Sequence, residues 1–166
     1  MQQYHKFQIG ALAVYPNVFT AFLNNQHIWI AVFACISAQA LKVLIDYGRT
    51  KEVNRSLFFG TGGMPSSHSA FVVALAASIG TAEGFHSPLF AIALVFAFIV
   101  MYDAAGVRRA AGKQAEVINM LMESLENMGI TPDEKLKELL GHSPIEVVAG
   151  ALWGILTTAV AYGILE

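Results

Sequence analysis

The chain has 166 residues, of which 55% are hydrophobic and 13% charged, with a formal charge of −2. Soluble domains usually carry about 25% charged residues, so a mean hydropathy of +0.55 excludes disorder and argues against an ordinary soluble domain. The near-neutral balance leaves no basic footprint for nucleic acid, and the lone Cys35 excludes a disulfide framework or a cysteine-based zinc site.

Taken in chain order, the first apolar stretch is residues 9–23, interrupted by Pro16 and Asn17. It reads as a short interfacial or incompletely inserted helix. It makes a poor signal peptide, because a single Lys6 precedes it and no small-x-small site follows. Four segments approach the roughly 20 apolar residues that cross a bilayer: about 28–45, 66–82 (opened by Pro65 and closed near Gly84), 88–102 and 145–165. Between the last two lies a polar insert, residues 103–141. Its first part reads as a helix over about 104–128, apolar at Val107, Ala111, Ala115, Ile118, Leu121, Met122 and Leu125, and ended by Gly129. A second short helix follows, capped by Thr131-Pro132-Asp133-Glu134. The expected architecture is all-α: one membrane-embedded domain over 1–166, an integral membrane helical bundle of four main spans plus a short N-terminal helix and a polar helical insert. A very apolar soluble bundle is the competing reading.

Nine of the ten Lys and Arg residues (Lys42, Arg49, Lys51, Arg55, Arg108, Arg109, Lys113, Lys135 and Lys137) fall at the end of the first span, in the loop after it, or between the third and fourth. With four spans those regions share one side, which the positive-inside rule places in the cytoplasm or its organellar equivalent.

Three polar clusters sit at span boundaries on that side, where ionisable groups are functional candidates. Lys42 and Arg49 are two helical turns apart and project from one face, a pairing suited to a phosphate-like oxyanion; the plainer reading is that Asp46, four residues after Lys42, neutralises them. In Thr61-Gly62-Gly63-Met64-Pro65-Ser66-Ser67-His68-Ser69, two glycines permit a close backbone approach. The first helical turn there offers free N–H groups to an anion, with His68 in the same turn. A serine N-cap beside an interfacial histidine explains the same residues. In Gly141-His142-Ser143-Pro144-Ile145-Glu146, the carboxylate can orient one imidazole nitrogen and leave the other free to act as nucleophile or base. Ser143-x-x-Glu146 is equally a capping box.

Taken together, Lys-x6-Arg, Pro-Ser-x-His and His-x3-acid in this order resemble the type 2 phosphatidic acid phosphatase superfamily, whose pattern is Lys-x6-Arg-Pro, Pro-Ser-Gly-His and Ser-Arg-x5-His-x3-Asp. Gly62–Ala70 together with Asp103-Ala104-Ala105-Gly106-Val107-Arg108-Arg109 is similar to its divergent bacterial and plastid branch, described as acid phosphatase/vanadium-dependent haloperoxidase-related. The resemblance covers most of the chain from about residue 28. It implies that Lys42, Arg49, Ser66 and Ser67 bind phosphoryl oxygens, that His68 is the general acid and then base, that His142 is the nucleophile, and that Glu146 orients it. It also implies that no metal or other cofactor is needed, because cations and helix N-termini stabilise charge.

The departures are Thr50 for the first motif's proline, Ser67 for glycine, Glu146 for aspartate, and Leu136 where the third motif has arginine. Arg108 or Arg109 is expected to supply the missing guanidinium, with Lys135 or Lys137 as substitutes. The family usually has six spans, and the four segments here are those that carry its motifs.

The expected function is therefore an integral membrane phosphatase acting on a lipid phosphate or diphosphate, in a bacterial cytoplasmic membrane or a plastid membrane, with the site facing the cytoplasm or its equivalent. Its partners would be the lipid phosphate and membrane lipids, without nucleic acid, and with homo-oligomerisation left open. The alternative is a non-catalytic membrane protein that binds an anionic lipid or a membrane partner; halide peroxidation with vanadate is the remote third. Asp103 is expected to pair with Arg108 or Arg109, Gln39 to bond a neighbouring helix, and Gly150 and Gly154 to mark close helix packing. His5, His27 and His86 read as interfacial or exposed.

Overall fold

The computed structural model describes residues 17–52, 62–126, 136 and 141–165. Among these, every regular element is a helix: α1 Val18–Leu23, α2 Gln26–Thr50, α3 Ser67–Glu83, α4 Pro88–Ala105, α5 Val107–Glu126 and α6 Pro144–Leu165. Their starts follow local capping chemistry. Asn17 makes a reciprocal capping box with Thr20, Asn25 caps α2, and Ser87 caps α4 with Pro88 at its first position. The α3 start is capped by Ser66, and it ends at Gly84, whose φ of 87° suits glycine. The expected helix over residues 9–23 is described only from Asn17 onward.

Three stretches have the length and composition to cross a membrane: α2, the Pro88–Glu126 stretch that contains α4, and α6. The second expected span, about 66–82, became α3, which has 17 residues and is about 25 Å long at 1.5 Å per residue. It is the central helix of the bundle, packed against α2, α4 and α6. From Ser67 to Gly80 no residue of α3 is exposed, which is why its sequence is apolar or small all round.

The distribution of side-chain size settles the solvent. The core is built of Ala31, Ala34, Ala38, Ala70, Ala74 and Ala97, while Phe33, Ile36, Leu44, Phe96, Phe98, Ile99, Leu152 and Ile155 stand exposed on the outside. A soluble bundle with that surface would aggregate; in lipid, small residues belong between helices and large apolar ones outside. The bundle is an integral membrane one.

The contact that positions the site is α3 against α6, which run parallel. Gly150 and Gly154 lie directly on α3: a Cβ on Gly150 would run into the Ser66 carbonyl, and one on Gly154 would come within 2.6 Å of the Ala70 carbonyl oxygen. Further along, Thr158 Oγ1 donates to the Ala74 carbonyl at 3.3 Å and Tyr162 donates to the Ser78 carbonyl at 3.0 Å. The expectation of close packing at the two glycines is borne out.

One expectation for the insert needs correction. Its helix does not begin at residue 104: α4 continues through Ala105, because nothing from Pro88 onward breaks it, and the interruption comes at Gly106. The apolar stripe on α5 is only partly packed. Val107, Ile118, Leu121 and Leu125 are exposed, and the buried residues are Gly112, Ala115 and Asn119. Asn119 holds the backbone of Leu136 through two bonds, Nδ2 to the carbonyl at 2.7 Å and the Leu136 N–H to Oδ1 at 2.8 Å. The exposed part of the stripe is left to lipid or its surface, as amphipathic interfacial helices do. The expected short helix after Gly129 lies outside the described residues.

Gly154→Val should lower stability by about 1–3 kcal/mol through overpacking, with Gly150→Val at least as costly. Gly163, which has nothing within 4 Å of where a Cβ would sit, should accept alanine with no loss. Thermal unfolding of the detergent-solubilised protein checks this; equal melting temperatures for Gly154→Val and Gly163→Ala would refute the packing assignment.

Candidate functional site

The site forms where α2, α3 and α6 meet the α4–α5 corner. Parallel packing sets the N-termini of α3 and α6 at the same end of the bundle, and the Ser66 N–H donates to the Glu146 carbonyl at 2.9 Å, fastening one to the other. The rings of His68, in the first turn of α3, and His142, just before α6, then meet edge-to-face with centroids 5.9 Å apart. Lys42 reaches the same place from α2. It is 3% exposed, and its stem lies over Gly63, where a Cβ would sit 3.1 Å from the Lys42 Cδ. The close approach expected of the glycine pair is thus to the lysine stem.

Lys42 Nζ, His68 Nδ1 and both ring nitrogens of His142 are buried with no hydrogen-bond partner among the described residues. Polar nitrogens buried without a hydrogen bond are costly unless a ligand completes them, and of these four only His142 Nδ1 lies within ion-pair distance of a carboxylate among the described residues, that of Glu146.

The cluster at residues 141–146 serves both of its readings at once. Ser143 and Glu146 form the capping box: the Ser143 N–H donates to Glu146 Oε2 at 2.8 Å, and the Glu146 N–H donates to Ser143 Oγ at 3.4 Å. The same Oε2 lies 3.4 Å from His142 Nδ1, an ion-pair approach without hydrogen-bond alignment. His142 Nε2 therefore stays on the side away from the carboxylate.

The serines divide. The Ser66 hydroxyl accepts from the Ser69 N–H at 3.4 Å and from the Ser69 hydroxyl at 3.1 Å, and the residue is fully buried. It caps α3, and the structure does not bring its hydroxyl to the histidines. The N–H groups of Ser67 and His68 are the first two of α3, where helix geometry supplies no internal acceptor.

Arg49 shares a face of α2 with Lys42, but it is exposed and lies about 10 Å further along the axis at 1.5 Å per residue. Asp46 pairs with neither cation among the described residues. On the insert side, Arg108 Nε donates to Asp103 Oδ2 at 2.7 Å, as expected of Asp103; Arg108 and Arg109 are both exposed. Lys135 and Lys137 lie outside the described residues. The charges of Arg108, Lys42 and Asp103 all bear on His68, and those of Glu146 and Lys42 on His142.

The profile of the divergent PAP2 family matches residues 23–157. The chain belongs to that family. It is also 44% identical over 149 residues to a protein of Bacillus subtilis (strain 168) named "Uncharacterized membrane protein YuiD", an alignment covering 83% of this chain and 94% of that one. No solved structure matches. The resemblance read from the three motifs therefore holds, and all three motifs lie inside the matched span.

The motifs of this divergent PAP2 protein name Arg108 or Arg109 for the site, but they did not reveal how the α4–α5 corner that carries them is fastened to it. The His142 N–H donates to the Ala104 carbonyl at 2.9 Å, so the third cluster is docked on Asp103–Arg109 although some forty residues separate them. The only hint in the sequence was the presence of an arginine pair where a polar insert begins.

Burial holds the His142 pKa below the ordinary histidine value; Glu146 opposes this, while Lys42 and His68 reinforce it. His142 is thus a neutral imidazole at neutral pH. Titration of labelled histidines by NMR should give His142 a midpoint below about 6.5. Glu146→Gln, which keeps the cap but removes the charge, should move it further down, and Lys42→Met should move it up. An upward shift in Glu146→Gln would contradict the assigned electrostatics.

Proposed function

We propose that the protein is a membrane phosphatase that hydrolyses a lipid phosphate or diphosphate through a phosphohistidine intermediate. The observation that carries this reading is the convergence of two imidazoles, from helix starts distant in the sequence, beside a buried lysine amine, with Lys42 Nζ, His68 Nδ1 and His142 Nε2 lacking hydrogen-bond partners among the described residues. Family membership supports the same chemistry.

The steps follow from what each group can do. A phosphoryl group seated between the rings accepts hydrogen bonds from Lys42 and from the N–H groups of Ser67 and His68, which stabilise its equatorial oxygens as charge develops. His142 Nε2, neutral and turned away from Glu146, attacks phosphorus. The N–P bond forms as the P–O bond to the lipid breaks, and protonated His68 gives its proton to the departing alkoxide. In the second half, neutral His68 takes a proton from water, the resulting hydroxide attacks phosphorus, and the N–P bond breaks to release phosphate and restore His142. Glu146 stabilises the positive charge that His142 acquires while phosphorylated. The positive-inside distribution of Lys and Arg supports a site that opens toward the cytoplasmic side.

The purified protein in detergent should release phosphate from a short-chain phosphatidic acid equally with and without chelator. His142→Ala should abolish release, and His68→Ala should slow it by about 10²–10⁴-fold. With p-nitrophenyl phosphate, whose leaving group needs little protonation, His68→Ala should instead accumulate an acid-labile, base-stable phosphoenzyme. Full turnover in His142→Ala would refute the nucleophile; no turnover of any phosphate ester would favour a non-catalytic protein that binds an anionic lipid.

A further inference from the structure

The α4–α5 corner is fastened to the His142 loop at two points. One is the bond from the His142 N–H to the Ala104 carbonyl, 2.9 Å. The other is Gly141, where a Cβ would collide with the Arg109 backbone nitrogen and sit 2.7 Å from the Arg108 carbonyl carbon. Arg108 and Asp103 face each other across the Gly106 break, and their 2.7 Å bond uses the guanidinium Nε. The two Nη groups, which form the fork that grips a phosphate-like oxyanion, take no partner among the described residues.

We propose that Arg108 completes the phosphate-binding end of this site and that Asp103 positions it, an inference that deepens the phosphatase reading and rests on it. Stability does not explain the pair, since its side chains are 45% and 40% exposed and exposed ion pairs contribute little to folding. The positive charge of Arg108, like that of Lys42, is close enough to act on His68. Arg109 shares the backbone contact with Gly141 but makes no ion pair among the described residues. A carboxylate beside an anion site would ordinarily weaken it. Here it holds a long, flexible side chain by the one nitrogen that the oxyanion does not need, so that less rotamer freedom is lost when the ligand arrives.

Binding of inorganic phosphate to the full-length protein in detergent, measured calorimetrically, tests this. Arg108→Gln should weaken binding by roughly 10- to 100-fold, the range for hydrogen bonds to charged groups. Lys113→Gln, the same charge change on the same helix, should leave it unaltered. Asp103→Ala should weaken binding, and Asp103→Asn, which keeps an acceptor for Nε, should restore most of it. Helical circular dichroism and elution volume confirm that each variant is folded. If wild type and Arg108→Gln bind phosphate equally, or if the larger loss falls on Arg109→Gln, the assignment of Arg108 is overturned while the phosphatase reading stands. If both Asp103 variants bind more tightly than wild type, Asp103 only neutralises charge and its positioning role is overturned. If wild type binds no phosphate, both the inference and the reading beneath it fall.

Discussion

The parallel contact between α3 and α6 repeats every four residues, and the residues that make it grow along the bundle. Gly150 meets Ser66 and Gly154 meets Ala70 with no side chain between the backbones; Thr158 then meets Ala74, and Tyr162 meets Ser78. Glycine, glycine, threonine, tyrosine describes two helices that touch at one end and splay toward the other, the rows four apart being one of the natural ridges of a helix. The tight end is the end of the candidate site. Two helix N-termini held side by side there, joined by the Ser66–Glu146 backbone bond, add their dipoles instead of cancelling them. An antiparallel pair could not build this site, however well it packed.

In lipid, burying large apolar side chains gives no driving force, so close backbone approach and buried polar bonds must hold the helices together. The polar bonds occur where the ladder widens. At the far end His27 Nδ1 lies 2.7 Å from Ser78 Oγ, which also lies 3.4 Å from the Tyr162 hydroxyl. Midway, Trp153 Nε1 donates to Ser37 Oγ at 2.9 Å. His27 had looked interfacial from its place at a span end, yet it belongs to an interhelical network because Ser78, two-thirds of the way along α3, faces it.

Much of this was legible because membrane helices announce themselves by composition and because capping motifs act locally. Spans near 28–45, 88–102 and 145–165 came out within a turn or so of α2, α4 and α6, and both serine caps were readable from neighbouring residues alone. What escaped depends on which face of a helix meets what. The stripe on α5 did not tell which of its residues pack, since Ala115 is buried while Val107, Ile118, Leu121 and Leu125 are exposed, and apolar periodicity does not distinguish lipid from protein as the apolar neighbour. Lys42 and Arg49 were matched by spacing, yet one is buried and the other exposed, because α2 runs past the end of the pocket. The docking of His142 on Ala104 is a backbone bond, and no side-chain pattern encodes it.

The capping box at the start of α6 also removes the apparent choice between structure and chemistry for Glu146. A carboxylate free to swing would serve a histidine poorly, because each rotamer would alter its distance from the ring. By accepting the Ser143 N–H, Glu146 Oε2 is fixed in one rotamer, and His142, immediately before the cap, is carried on the same rigid turn. The residue is held from the other side by its backbone N–H, which donates to the Ala104 carbonyl. Helix capping is therefore the means by which the carboxylate–imidazole geometry is set. The same holds at α3, where the Ser66 cap ties up the N–H of Ser69 and leaves the outward-facing donors of the first turn to whatever anion enters between the two rings.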